Sequence, residues 1–330
     1  MNPNRLLVLI TMPIAMTVII STFLFDMASG GQISPLIAST RGLFDPQTGE
    51  MSEERNQESL DALNILGLDD IGNCPGEISI YVHGVWSSEE EAEEQVDRVD
   101  KSLKDSGYQV LLVGFSWDSD TEVSPEGWRL AKEIANTNGH KLAEFISSFK
   151  EICPQDSVRI ITHSLGARVT LAALQDLYEN PAWNNIKVTS VHIMGAAVDN
   201  EQISLDPEDC LPNTPELPCS GQAIESQVEE FFNLHNPEDN VLQTSYIWTE
   251  GDLALGHWGR ENGTPEPANY NEENVLLEIP PIRDADANGQ DDCFDEFIIY
   301  DGDNHCGYMG YRTEPWDNGA IDIVARDWTS

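Results

Sequence analysis

The sequence predicts an α/β domain, a mostly parallel β-sheet with helices on both faces. Three observations carry that prediction. From about residue 77 onward, short runs rich in β-branched and aromatic residues alternate with longer amphipathic stretches, the pattern of repeated βαβ units. The chain of 330 residues is long enough for one such domain of roughly 200 to 250 residues plus appendages. Hydrophobic residues make up 40%, with eight Trp, enough to fold a core despite a formal net charge of -41.

Taken in order, the first element is an uncharged stretch at residues 6–25, LLVLITMPIAMTVIISTFLF. At about 1.5 Å per residue it would cross a hydrocarbon core of ~30 Å. Arg5 precedes it, and Asp26 and a strongly acidic body follow, so the positive-inside rule keeps the amino terminus in the cytoplasm and exports the rest. Residues 1–29 are therefore a signal anchor, favoured by length, or a signal peptide cleaved near the small residues Ala28, Ser29 and Gly30. The expected product is extracytoplasmic, held to the membrane through residues 6–25 or secreted after cleavage.

Residues 30–76 are polar and read as a linker leading into the fold at 77–330. Strands are expected at 78–82 (ISIYV), 110–115 (VLLVGF), 158–162 (VRIIT), 188–195 (VTSVHIMG) and 228–235 (VEEFFNLH). Helices are expected at 88–105, 127–150, 166–178 and from Asn318 to Trp328. In the acidic run SSEEEAEEQ, Ser supplies an N-cap and carboxylates fill the first turn, where the helix dipole favours them. Residues 200–227 lack periodicity and read as an insertion. Cys210 and Cys219 bracket the Pro-rich LPNTPELP within it and could close a small loop. Six cysteines in an exported chain, with no CxxC spacing, point to disulfides before metal ligands.

Charge excludes one class of partner. With 58 Asp plus Glu against 17 Lys plus Arg, no basic stripe exists to bind phosphates, so nucleic acid is not an expected partner. The acid excess is spread along the whole chain, as in salt-adapted proteins whose surface carboxylates hold hydration.

The chemistry is concentrated in VRIITHSLGARVTLAAL, a β run, then His163-Ser164-Leu165-Gly166, then a helical pattern. A Ser at a sharp strand-to-helix turn is exposed at the carboxyl edge of a sheet, which makes Ser164 the candidate nucleophile. The Leu165 amide, at a helix N-terminus, suits a developing oxyanion. Upstream, ISIYVHGVW places His83-Gly84 at a strand end, where the amide of Val85 or Trp86 would supply the second oxyanion donor.

The order strand, HG, strand, GFSWDS, strand, THSLGA resembles the α/β-hydrolase superfamily, particularly its lipase-like and esterase-like members, over about residues 77–327. Thr162 departs from the first Gly of G-x-S-x-G. The resemblance implies an acid after a later strand and a His last in chain order. Asp239, in NPEDNVL, fits the acid, with Asp199 as the alternative; His305, in YDGDNHCGYMGY, fits the base, with His257 as the rival. His83 and His163 would line the oxyanion region without acting as bases, and His140, His192 and His235 read as structural. Trp86, Trp117 and Asp118 either border the acyl pocket or pack the core. The resemblance thus implies a serine hydrolase acting on an ester or lipid-like small molecule through a Ser164-His305-Asp239 triad. An acyltransferase or amidase using the same triad, or an inactive hydrolase-fold interaction protein at the cell surface, are the alternatives. The family's strand order sets 78–82 beside 158–162, which implies a Cys74 to Cys153 disulfide and leaves Cys293 for Cys306.

A separate signal is DADANGQDDCFD at 284–295. Asp284, Asp286, Asn288, the carbonyl of Gln290, Asp292 and Asp295 have the spacing of a twelve-residue calcium loop, with Gly289 at the bend. Structural calcium is the expected cofactor, and no organic cofactor is expected.

Overall fold

The computed structural model describes residues 35–58, 60, 62–66, 74–210, 217–279, 304–310 and 316–329. The apolar segment 6–25, the calcium loop 284–295 and Cys293 lie outside the described residues. Among the described residues, no helix is long and apolar enough to cross a membrane.

Among the described residues, seven parallel strands form one sheet in the order β1-β3-β2-β4-β5-β6-β7. They are β1 (Leu36–Ser39), β2 (Glu77–Val82), β3 (Leu111–Ser116), β4 (Ser157–His163), β5 (Val188–Met194), β6 (Val228–His235) and β7 (Tyr270–Asn274). The five expected strands are all present. The segment read as a linker contributes β1, which adds in parallel to β3. Its four residues are too few for a periodicity to show. β7, YNEEN, carries almost no apolar signal, because an edge strand is held by ladder hydrogen bonds and its charges discourage further pairing.

Pleating divides the sheet between two cores. In β2, Ile78, Ile80 and Val82 face the larger core, whereas Tyr81 faces the other. The helices Pro125–Ile152, Gly166–Glu179 and Gly221–Gln227 bury residues such as Phe145, Leu171 and Ile224 in the first core. The helices Glu89–Asp105 and Ile321–Thr329 cover the opposite face through Val96, Val99, Val324 and Trp328. Ser88 caps the first of these in a capping box with Glu91, as the acidic run predicts.

Cys74 and Cys153 form a disulfide with Cα atoms 5.7 Å apart. Its cause is register: Glu77 pairs with Ser157, so the residues just upstream meet at the same edge of the sheet. The 79-residue separation gives this bond about 4 to 5 kcal/mol by chain-entropy reasoning. Cys210 and Cys219 are also bonded. Cys306 is disulfide-bonded, while Cys293, its expected partner, is not described.

Candidate active site

Ser164 sits where β4 stops and the helix Gly166–Glu179 begins, with φ +54°. A non-glycine residue in that region carries strain that its surroundings must hold. Here the Ser164 amide donates to Met194 O at 3.0 Å and its carbonyl accepts from Ala197 N at 3.2 Å, so β5 and the turn after it fix the peptide on both sides. The start of this helix can lie against the end of β2 only because residue 166 is Gly: a Cβ there would lie 2.5 Å from Val82 O and 2.6 Å from His83 O. Gly84 makes the second close approach, since a Cβ on it would come within 2.9 Å of Ser164 Cβ.

His305, the expected base, arrives from far along the chain. His305 lies in a 3-10 turn, Asn304–Met309, and its Nδ1 is 2.7 Å from Asp239 Oδ2, with both side chains essentially excluded from water. A carboxylate facing Nδ1 puts the proton there and leaves Nε2 as the basic nitrogen. The Asp239 carboxylate is itself oriented: Oδ1 accepts from Leu242 N at 3.0 Å and Oδ2 from Tyr308 Oη at 3.3 Å. Ser164 and His305 line one cleft, together with Val85, Trp86, Trp128, Val241, Leu242 and Tyr246 among others.

The two alternatives are engaged differently. Asp199 accepts from Tyr246 Oη at 2.7 Å, and burial raises its carboxyl above the usual range. His257 is buried on the short helix Leu255–Trp258, with no hydrogen-bond partner for Nδ1, and burial lowers its pKa.

Of the expected oxyanion donors, Trp86 is corrected: its amide donates to Ser119 O at 2.8 Å and is engaged before any substrate arrives. Among the described residues, the amides of Val85 and Leu165 donate no hydrogen bond. They remain available to an oxyanion. His83 secures the loop that carries Val85. Its Nδ1 donates to Gly84 O at 2.8 Å and its Nε2 accepts from Trp117 N at 3.1 Å, so the ring is neutral and of one tautomer. Burial first, then the Arg41 charge, lowers its pKa to about 3. His163 donates from Nε2 to the His305 carbonyl at 2.7 Å, linking the residue before Ser164 to His305. Trp117 is wholly buried and stacks on His83. Asp118 accepts from the amides of Gly42 and Phe44, tying the segment after β1 to the end of β3.

The sequence family described as alpha/beta hydrolase of unknown function (DUF900) matches residues 69–269. The chain belongs to that family. This α/β hydrolase matches no curated protein. Among solved structures, an acetylxylan esterase is similar at 12% identity, covering 78% of this chain and 99% of its own, with a TM-score of 0.36. A cutinase-like protein from Cryptococcus sp. has 12% identity, coverage of 78% and 95%, and a TM-score of 0.33. A lipase-esterase related protein from Clostridium acetobutylicum has 12% identity, coverage of 77% and 93%, and a TM-score of 0.33. Likenesses this distant carry nothing about the substrate of this α/β hydrolase.

Sequence reasoning missed Tyr308, which supports Asp239, and the cleft residues Trp128 and Tyr246. Tyr246 belongs to a π-helix, Val241–Tyr246, that begins two residues after Asp239. Such wide turns often mark functional sites, but no local residue pattern announces one.

Proposed function

We propose that this α/β hydrolase cleaves carboxylic esters through an acyl-enzyme on Ser164. The observation that carries the reading is the buried 2.7 Å pair of His305 Nδ1 and Asp239 Oδ2, with His305 lining the same cleft as a strained Ser164. Ser164 Oγ attacks the acyl carbonyl while His305 Nε2 takes its proton, and Asp239 stabilises the imidazolium. The carbonyl oxygen, now an oxyanion, is held by the Val85 and Leu165 amides. Collapse breaks the bond to the alkoxy oxygen, which leaves with the proton from His305. Water then attacks the acyl-enzyme with His305 again as base, releasing the acid and restoring Ser164.

The disulfides favour an oxidising, extracytoplasmic setting. As part of the same proposal, residues 284–295 hold a structural calcium ion, and the acidic surface is an adaptation to salt. A fluorophosphonate probe applied in strong salt should label Ser164, and p-nitrophenyl esters should turn over. Neither labelling nor turnover in a folded chain would leave a hydrolase-fold interaction protein.

A further inference from the structure

One wall of the cleft is aromatic, built by Trp86, Trp128 and Tyr246 from three separate parts of the chain. The rings follow one another: Trp86 and Trp128 have centroids 5.9 Å apart at 53°, and Trp128 and Tyr246 are 6.1 Å apart, edge to face. Two of the polar tips are tied to carboxylates. Tyr246 Oη donates to Asp199, and Trp128 Nε1 donates to Glu250, which also pairs with Lys132 at 2.7 Å. The Glu250 and Lys132 side chains are only 7% and 12% exposed, so this anchor is shielded from solvent competition. A ring whose tip is bonded in this way is fixed in orientation, and what it offers a ligand is its apolar surface.

Trp86 adds a second observation. Among the described residues, only Trp86 and Ser164 are non-glycine residues at positive φ, and both line this cleft. The Ser164 conformation serves the nucleophile turn. The Trp86 conformation, φ +56°, is held by the hydrogen bond from its amide to Ser119 O, and Trp86 lines the cleft together with Val85. Strain of this kind in a bulky residue persists where the surroundings over-determine it, typically at functional sites. The remaining lining includes Val85, Ala197, Val241 and Leu242, and among the described residues that line it none but His305 is an ionisable group that could meet a charged substrate. The Thr249 hydroxyl is turned back to its own helix, donating to Ser245 O at 2.8 Å.

Resting on the reading of Ser164 as nucleophile, the geometry points to esters that carry a planar aromatic ring next to the scissile group as the substrate class. Fixed flat faces complement a fixed flat ring, and ring pairs in edge or offset contact gain about two- to tenfold beyond burial. A flexible alkyl chain on the same wall loses rotamer freedom instead.

The test compares kcat/KM of the full chain in strong salt for esters matched in size but not in planarity. Methyl benzoate against methyl cyclohexanecarboxylate reads the acyl side; benzyl acetate against cyclohexylmethyl acetate reads the alkoxy side; methyl hexanoate and decanoate read chain length. A planar ring should win by about three- to tenfold on one side, with no gain from hexanoate to decanoate. Trp128→Leu should bring that ratio to within about twofold of unity, and Trp128→Phe should restore part of it. Phenylboronic and cyclohexylboronic acids, as inhibitors that bond to Ser164 Oγ, give the same ratio without turnover. Hydrolysis with no ring preference, or with rates that climb with chain length, overturns this inference alone. Failure to hydrolyse any ester and to bind either boronic acid overturns the esterase reading with it.

Discussion

The turn that carries Ser164 and the turn that carries His305 are held in opposite ways. Around Ser164 the constraint is mainly backbone: Gly166 and Gly84 admit close approaches, and β5 and the residues after it hold the peptide through Met194 O and Ala197 N. Around His305 it is mainly side chains from distant segments. Arg98, on the helix Glu89–Asp105, donates to the carbonyls of Cys306 and Gly310. One helical turn on, Ser102 Oγ donates to Met309 O at 3.0 Å. His163 donates to His305 O, and Asn304 Nδ2 donates to Glu238 O at 2.8 Å. Ser164, the proposed nucleophile, is therefore specified by a contiguous motif, and His305, the proposed base, by a convergence of separate elements. Damage to the first turn should strike chemistry or folding outright, whereas damage to the second should be graded.

The largest expected effect is on the reacting groups. Ser164→Ala should cut kcat by at least about 10^4-fold while leaving the thermal midpoint unchanged or slightly higher, since the side chain contributes chemistry more than packing. Substantial residual turnover would sink the assignment. Asp239→Asn should cost about 10^2- to 10^4-fold by disturbing the His305 tautomer. Asp199→Asn, which touches Tyr246 instead, should cost far less, and the reverse order would move the acid to Asp199.

Arg98→Met tests the graded half of the comparison. It leaves buried carbonyls of the His305 turn without their donor, at about 1 to 3 kcal/mol of stability. It should also lower kcat more than it changes KM, because a loosened turn misplaces the base. Loss of stability with unchanged kcat would mean that the turn holds its shape without Arg98.

The loop that carries Val85 supplies a smaller, pH-dependent effect. Unfolded, His83 titrates near 6.5; folded, burial and then the Arg41 charge hold it at about 3. Between those values the unfolded chain binds the extra proton, so this contribution to stability is full above about pH 6.5 and is lost as pH falls toward 3. His83→Asn keeps a donor near Gly84 O but does not titrate. Urea midpoints measured from pH 7 to 4 should fall less steeply for the variant than for the parent, and parallel curves would refute the assignment.

Calcium should act most gently, since exported proteins meet millimolar concentrations and a weak site suffices. Chelation at constant ionic strength should lower the melting temperature and, through the chain leading to His305, the esterase rate. Asp286→Ala should reproduce it, and no change in either measurement would return residues 284–295 to the acidic surface.

The same contrast explains what could be read without a structure. Ser164, Leu165 and the HG loop were legible because strand, turn and helix are consecutive, and a period change from two to 3.6 residues marks the turn. Asp239 and His305 could be placed only with the help of a family resemblance, each beside a rival, since nothing local distinguishes one loop Asp or His from another. The choice of Trp86 as an oxyanion donor failed because a competing acceptor, Ser119 O, lies 33 residues away in sequence.

By itself, the sequence determined the five interior strands from Glu77 to His235, the helices after the first three of them, the C-terminal helix and the strand-to-helix turn at Ser164, because β-branched runs and helical periodicity are local properties of the chain; the short helix Gly221–Gln227, inside the stretch read as an insertion, was missed. Tertiary structure alone decided that β1 and β7 join the sheet as edges, that Asp239 meets His305 while Asp199 meets Tyr246, and that three distant aromatic rings share one wall beside Ser164. These depend on which surfaces face each other once two cores have formed on either side of a sheet, and that pairing is a property of packing, not of any window of residues.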